Sequence, residues 1–136
     1  MTNEVETEEL VGQLRDAGVK HNPDNILRIA KLSDGKIVFL EIGNDISGWQ
    51  HIRKNHANEF INRGIPEDMI IDAIMSAVTS GVIIGTQGTK GTRDVYEVDF
   101  NGAVQYISIT VGDNGYIVGA NPTKKNIIRR LLQEIQ

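Results

Sequence analysis

Two of the chain's three histidines, His51 and His56, stand five residues apart in Gly48-Trp49-Gln50-His51-Ile52-Arg53-Lys54-Asn55-His56, with the cations Arg53 and Lys54 between them. Imidazole is the side chain whose ordinary pKa lets it take and return protons near neutrality. Beside fixed positive charge it is suited to moving a proton next to a phosphate. A second pair of cations, Lys90 and Arg93, accompanies the glycine-rich stretch Gly85–Gly91. A guanidinium such as that of Arg93 holds a phosphate through paired hydrogen bonds. Thr110, at the end of an apolar run, carries a hydroxyl that can donate to a phosphate oxygen, and Asn121-Pro122 can shape the same rim.

Other chemistries that these residues suggest do not fit their spacing. The zinc-protease helix needs histidines at i and i+4 with a glutamate base between them. Here the spacing is i, i+5, and Ile52-Arg53-Lys54-Asn55 holds no glutamate. With no cysteine and only His21 remaining, a three-ligand metal site would need distant carboxylates, so no metal and no cofactor is expected. Gly85–Gly91 lacks the spacing of a phosphate-binding Walker loop and does not open a helix. There is no G-x-S-x-G elbow for a serine nucleophile, and the missing cysteines exclude disulfides and thiolate chemistry.

The elements that must position these groups can be read from periodicity. A short helix runs through Leu10, Val11 and Leu14. Ile26–Leu32 and Ile37–Leu40 flank Ser33-Asp34-Gly35 as a β-hairpin. Asp45 or Ser47 is placed to cap a helix reaching about Asn62, ended by Gly64. Pro66 opens a second helix, whose stripe of Met69, Ile70, Ile74, Ala77 and Val78 ends before Gly81. From there the pattern is β: Val82–Gly85, Val95–Phe100, Val104–Val111 and Tyr116–Gly119. Asn101-Gly102 and Asp113-Asn114-Gly115 mark tight reversals. Lys124–Ile135 is an amphipathic helix with Ile127, Ile128, Leu131, Leu132 and Ile135 inward and Arg129 and Arg130 outward. The fold class is therefore α+β: N-terminal helices, a four-stranded antiparallel meander, then a C-terminal helix. On this reading residues 1–20 are a lead-in or linker with a short helix, and residues 21–136 form a single domain.

Two geometric consequences follow for the candidate residues. At 100° per residue, His51 and His56 lie about 140° apart on an ideal helix. A shared pocket then requires that helix to begin near His51 or to lie along the edge of a cleft. Strand alternation places Arg93 and Val95 on one face and Asp94 and Tyr96 on the other.

A chain of 136 residues that is 40% hydrophobic and 24% charged can bury a core without staples. No apolar run is long enough to span a bilayer. The net charge of −4 owes much to Glu4, Glu6, Glu8 and Glu9; without the first ten residues, 14 acids face 14 bases. Basic residues then cluster at Arg53 and Lys54, at Lys90 and Arg93, and at Lys124, Lys125, Arg129 and Arg130. Such clusters can engage a polyanion, or simply remain solvated, whatever the total charge.

One ordered series of motifs is familiar. It comprises Gly48-x-Gln50-His51-Ile52-x-x-x-His56-x-x-x-Phe60, Gly81-x-Ile83-x-Gly85-x-Gln87-Gly88, Arg93-x-x-Tyr96-Glu97-Val98 with Asn101-Gly102, and the run from Thr110-Val111-Gly112 to Ala120-Asn121-Pro122. Over roughly His21 to Pro122 it resembles the C-terminal toxin domains of bacterial polymorphic and contact-dependent growth-inhibition systems. The likeness is in particular to nucleases of the barnase–EndoU–colicin–RelE superfamily. The resemblance implies helices followed by a four-stranded antiparallel sheet, and a metal-independent endoribonuclease. It implies tRNA or rRNA as substrate, attack by the ribose 2′-OH, and a cyclic phosphate product. It implies a cognate immunity protein as partner, and delivery from a larger secreted effector into the cytoplasm of a target cell. The positions carried over as catalytic are His51, His56, Arg93 and Thr110, with Lys90, Tyr96 and Asn121 as substrate contacts; which histidine is acid and which is base stays open. The competing expectation is a non-catalytic binding module, an immunity or adaptor protein, which the acidic balance accommodates directly.

Overall fold

The computed structural model of the chain describes residues 4–88 and 93–135, with side chains from residue 6 onward. The element order is α1 (Glu4–Asp16), β1 (Ile26–Lys31), β2 (Ile37–Glu41), α2 (Trp49–Asn62), α3 (Ile70–Ser80), β3 (Val82–Gln87), β4 (Arg93–Phe100), β5 (Ala103–Val111), β6 (Ile117–Pro122) and α4 (Lys125–Ile135). Single 3-10 turns at Pro23–Asn25 and Glu67–Met69 lead into β1 and α3. Strands β3, β4, β5 and β6 form an antiparallel sheet in sequence order, and β1 pairs with β2 as a separate hairpin. This is the α+β layout that the periodicity predicts.

One face of the sheet carries the main core. Tyr96 and Val98 of β4, Ile107 and Ile109 of β5, and Ala120 of β6 pack with Ile52, Ala57 and Phe60 of α2 and with Ile70, Ala73, Ile74 and Ala77 of α3. Of the apolar stripe read for α3, Ile70, Ile74, Ala77 and Val78 are buried, while Met69 is half-buried in the 3-10 turn before the helix. Burying large aliphatic and aromatic side chains such as Phe60 and Ile74 contributes about 1.5–3 kcal/mol each, which holds α2 to the sheet. The C-terminal end of α2 is fastened separately: the Arg63 Nη2 donates to the carbonyl of Thr123 at 2.8 Å, and the Gln105 amide donates to the carbonyl of Arg63 at 3.1 Å.

The opposite face is only partly covered. Helix α4 lays Leu131 over Gly85, where a Cβ would come within 2.5 Å of a Leu131 methyl. Of the five residues read as inward on α4, Leu131 is buried, Ile127, Ile128 and Leu132 are half-buried, and Ile135 is exposed.

Helix α1 is part of this body. Leu14 is buried with Ile29 and Phe39, and Leu10 and Val11 pack beside them, so the segment read as a lead-in folds onto the hairpin. The hairpin joins the sheet through one parallel bridge, Phe39 to Tyr116, and through the Phe39 N–H, which donates to the carbonyl of Gly115 at 2.9 Å. Gly115 has φ 91°, and a Cβ there would lie 2.0 Å from the carbonyl oxygen of Ile37. Both the backbone angle and the contact exclude a side chain. Gly115→Ala is therefore expected to destabilise the fold by at least about 2 kcal/mol, read as a fall in thermal midpoint.

Candidate active site

Helix α2 begins at Trp49, two residues before His51, so it meets the condition set by the 140° separation. The cap differs from the expectation. Gly48, at φ 81°, occupies the N-cap position, and no side chain caps the helix. The polar groups expected there are engaged elsewhere. The Ser47 hydroxyl is 2.9 Å from the Tyr116 hydroxyl, and Gly48 donates its N–H to the carbonyl of Val118 at 2.9 Å. A Cβ at Gly48 would sit 2.9 Å from both Gly43 and the Tyr116 hydroxyl. The start of α2 is thus locked against β6, the edge strand of the sheet.

That docking brings His51 to the sheet. Its ring lies over Gly119 of β6: a Cβ built there would be 3.6 Å from Cδ2 and 3.7 Å from Nε2. The other ring nitrogen, Nδ1, is 3.0 Å from the carbonyl of Asp45 and 3.1 Å from the Asn55 amide nitrogen. A carbonyl can only accept, so the Asp45 contact is a hydrogen bond when Nδ1 carries the proton, and the Asn55 amide has a second acceptor in the His51 carbonyl at 2.8 Å. In that tautomer Nε2 presents a bare lone pair beside β6.

Register supplies the neighbours. Gly119 pairs with Thr110 of β5. On the other side of β5 the ladder ends at the pair Asp94 and Ile109, so Arg93 and Thr110 flank that last pair at the same end of the two strands. Gln87 of β3 pairs with Arg93. Directly opposed residues in an antiparallel pair share a face, with Cβ atoms about 4.5–5.5 Å apart. Imidazole, hydroxyl and guanidinium therefore form one row across the strands: His51 above Gly119, then Thr110, then Arg93. The Thr110 hydroxyl has no partner among the described residues.

The next row on that face is polar where an apolar row would be ordinary. Asn121 is buried, and its Oδ1 accepts from Arg93 Nη1 at 3.1 Å while its amide donates to the Pro122 carbonyl at 2.9 Å. Buried Ser108 donates to Gln87 Oε1 at 2.6 Å and accepts from the Thr123 hydroxyl at 2.8 Å. Buried polar side chains persist when every group is satisfied, and here none is left over among the described residues. The Asn121 contact holds the Arg93 guanidinium through one of its terminal nitrogens.

His56 lies five residues further along α2. Its ring centroid is 6.3 Å from that of His51, with the planes nearly perpendicular. Its Nδ1 is paired with the Glu59 carboxylate, and its side chain is 26% exposed. Carboxylate–imidazole pairing fixes the ring and leaves Nε2 available.

No family model and no curated protein matches this chain.

Of the residues expected at the site, His51, His56, Arg93, Thr110 and Asn121 are brought to one region of the molecule. Tyr96 is not. It is 8% exposed on the helix-covered face among the main core residues. Burial, and secondarily the charge of Asp94, push its hydroxyl pKa above the usual tyrosine value, so it stays neutral in the physiological range. Lys90 lies outside the described residues. Four groups that the reading did not single out complete the site: Asn55, Glu59, Gly119 and the Asp45 carbonyl. Two of them had a sequence signal, since Asn55 is at i+4 from His51 and Glu59 at i+3 from His56, the spacings that meet on a helix surface.

The basic clusters behave differently from one another. Arg53 is 3.4 Å from Glu67 and Lys54 is 3.5 Å from Asp45, all exposed. Lys124, Lys125, Arg129 and Arg130 are exposed, and no ion pair engages them among the described residues. Also among the described residues, no three His, Cys, Asp or Glu side chains are disposed to hold a metal ion, and no helix is long and apolar enough to cross a membrane.

Proposed function

We propose that the chain is a metal-independent endoribonuclease of the toxin type, cutting RNA through the ribose 2′-OH. The observation that carries this reading is the row of His51, Thr110 and Arg93 beside the ring of His56. His51 Nε2 takes the proton of the 2′-OH, whose oxygen attacks the adjacent phosphorus. Arg93 and Thr110 donate to the non-bridging oxygens as charge grows on them. His56, held by Glu59, returns a proton to the departing 5′-oxygen, and a 2′,3′-cyclic phosphate remains. Lys124 and Lys125, at the start of the helix that follows β6, add positive charge for the RNA backbone. Substrates of the tRNA or rRNA class, a cognate immunity protein, and delivery from a larger secreted effector to a target-cell cytoplasm complete the proposal by resemblance.

Purified protein incubated with total RNA and with plasmid DNA, with and without EDTA, tests it. RNA is expected to be cut to fragments ending in cyclic phosphate, DNA to stay intact, and EDTA to change nothing. Intact RNA, or cleavage abolished by chelation, would overturn the reading. Expression alone in a bacterium is expected to arrest growth.

A further inference from the structure

We propose that the outer edge of β3 is the docking surface for a second copy of the chain, whose own β3 adds antiparallel and doubles the four-stranded sheet. The inference is independent of the ribonuclease reading. The sheet ends in β6 on one side and β3 on the other. The β6 side is engaged: Gly48 donates its N–H to the Val118 carbonyl, and Phe39 donates to the carbonyl of Gly115 just before the strand. The β3 side is free, since no backbone hydrogen bond reaches its outer edge among the described residues.

Edge strands are ordinarily kept apart by charge, proline or bulges, because their unpaired N–H and C=O groups are a template for another strand. The stretch Gly81-Val82-Ile83-Ile84-Gly85-Thr86-Gln87 holds no charged residue and no proline. Its one blunting feature is a bulge between Ile83 and Gly85 in the ladder with β4. Val82 is 65% exposed and Ile83 52%, and successive side chains of a strand point to opposite faces. Aliphatic surface is therefore bare above and below the sheet at one place, as on a strand that lacks a neighbour.

Helix α4 shows the same gap from above. It starts at Lys125, soon after β6 ends at Pro122, and crosses the sheet to put Leu131 over Gly85 of β3. Ile135 follows four residues later, so it lies on the same side of the helix as Leu131 and about 6 Å further along the axis. That carries it past the last strand. It faces the layer of the sheet and is nonetheless 60% exposed, because no strand lies beneath it. A strand added to β3 would run about 4.8 Å outside it, under Ile135.

The residues of the edge name the partner. Gly81 to Gly85 reads nearly the same in both directions about Ile83: glycine, aliphatic, isoleucine, aliphatic, glycine. Gly81 itself is extended, at φ −76° and ψ 170°, so it can continue the strand. A two-fold axis through Ile83 pairs that residue with its copy, Val82 with the partner's Ile84, and Gly81 with the partner's Gly85. The same axis sets the two Gly85 positions four residues apart, about 13 Å along the strands. Packed helices need about 8–10 Å, so the two α4 ends pass side by side and each covers the other's β3. Because β6 is already engaged, the pairing uses up the open edge of each copy and stops at two. The His51 end of the catalytic row lies over β6, the far side of the sheet, and stays open.

Sedimentation velocity of the full chain over a series of concentrations tests the proposal. A monomer–dimer equilibrium is expected, with a midpoint on the order of micromolar, because one added strand pair buries less than a standard interface. Ile83→Lys sets two ammonium groups face to face on the axis and is expected to raise the dissociation constant at least about a hundredfold. Ile83 is half exposed, so the circular dichroism spectrum and thermal midpoint of that variant should match the parent. A second variant reports the register. The chain has no cysteine of its own, and directly opposed residues hold their Cβ atoms about 4.5–5.5 Å apart. Ile83→Cys is expected to form an interchain disulfide at least about tenfold faster than Ile46→Cys, whose site is 81% exposed on the loop beside β6. A chain that stays monomeric at every concentration, a dimer indifferent to Ile83→Lys, or equal rates of cross-linking would overturn the proposal.

Discussion

His51→Ala is expected to lower RNA cleavage about a thousandfold, within the range by which a positioned general base accelerates proton transfer. The fold should be untouched. His51 sits half-exposed in the first turn of α2, and the core of that helix is Ile52, Ala57 and Phe60. The far-ultraviolet spectrum and thermal midpoint of the variant are therefore expected to match the parent. A companion variant separates loss of the base from loss of a contact. Gly119→Val leaves His51 in the chain but fills the space beneath its ring. The Cβ itself would make an ordinary contact at 3.6 Å, and the two methyl groups beyond it would displace the imidazole. Displacement of about 1 Å at a reacting group costs on the order of a hundredfold, so cleavage should fall by that amount with stability little changed. Full activity in His51→Ala would leave the row of side chains without a catalytic meaning.

Much of the architecture behind that row is written locally. The Asn101-Gly102 pair adopts φ values of 53° and 82°, the doubly left-handed turn that its residue types favour, and it sets the β4–β5 register. The alternation in β4 likewise separates Arg93 from Tyr96 before any coordinates are known, and the structure keeps them on opposite faces. Treating Tyr96 as a substrate contact set its aromatic chemistry above that alternation, and the core claims it. The strand ends carry no such local signal. β3 and β4 extend to Gln87 and Arg93 because those two residues pair across the sheet, a long-range fact with no local period.

The candidate site was legible as residue types but not as an arrangement. Asp45 and Ser47 carry the side chains that cap helices, yet the cap is Gly48. The reason is tertiary: Ser47 meets Tyr116, Gly48 meets Val118, and the Asp45 carbonyl meets His51, so each is held by a partner remote in sequence or by the site itself. Likewise, nothing in the residues around Gly119 announces that a ring will lie over it. Its lack of a side chain has meaning only once α2 is docked on the edge strand. Pro122 in β6 fits the same geometry, since an edge strand tolerates a residue without an N–H.

Arg93→Ala is expected to reduce cleavage by about 10²–10³-fold, the cost of removing one preorganised donor to developing charge on a phosphate. The guanidinium has five N–H donors, and the structure commits one nitrogen to Asn121 Oδ1, leaving the others for a phosphate oxygen beside Thr110. Truncation has a second consequence that must be kept apart from catalysis. Asn121 is 6% exposed, so its Oδ1 would lose its partner in a buried place, at a cost of about 1–3 kcal/mol of stability. Arg93→Lys distinguishes the two effects. An ammonium can still reach Asn121 and keeps the charge, but it cannot offer the planar fork that holds two phosphate oxygens at once. The lysine variant should therefore recover the thermal midpoint of the parent while regaining only part of the activity. Because the lost contacts form as charge develops, kcat and kcat/KM should fall together in both variants. If Arg93→Lys restored stability and full turnover alike, the guanidinium would be a strut for Asn121, and stabilisation of the phosphate would have to come from elsewhere on the open face.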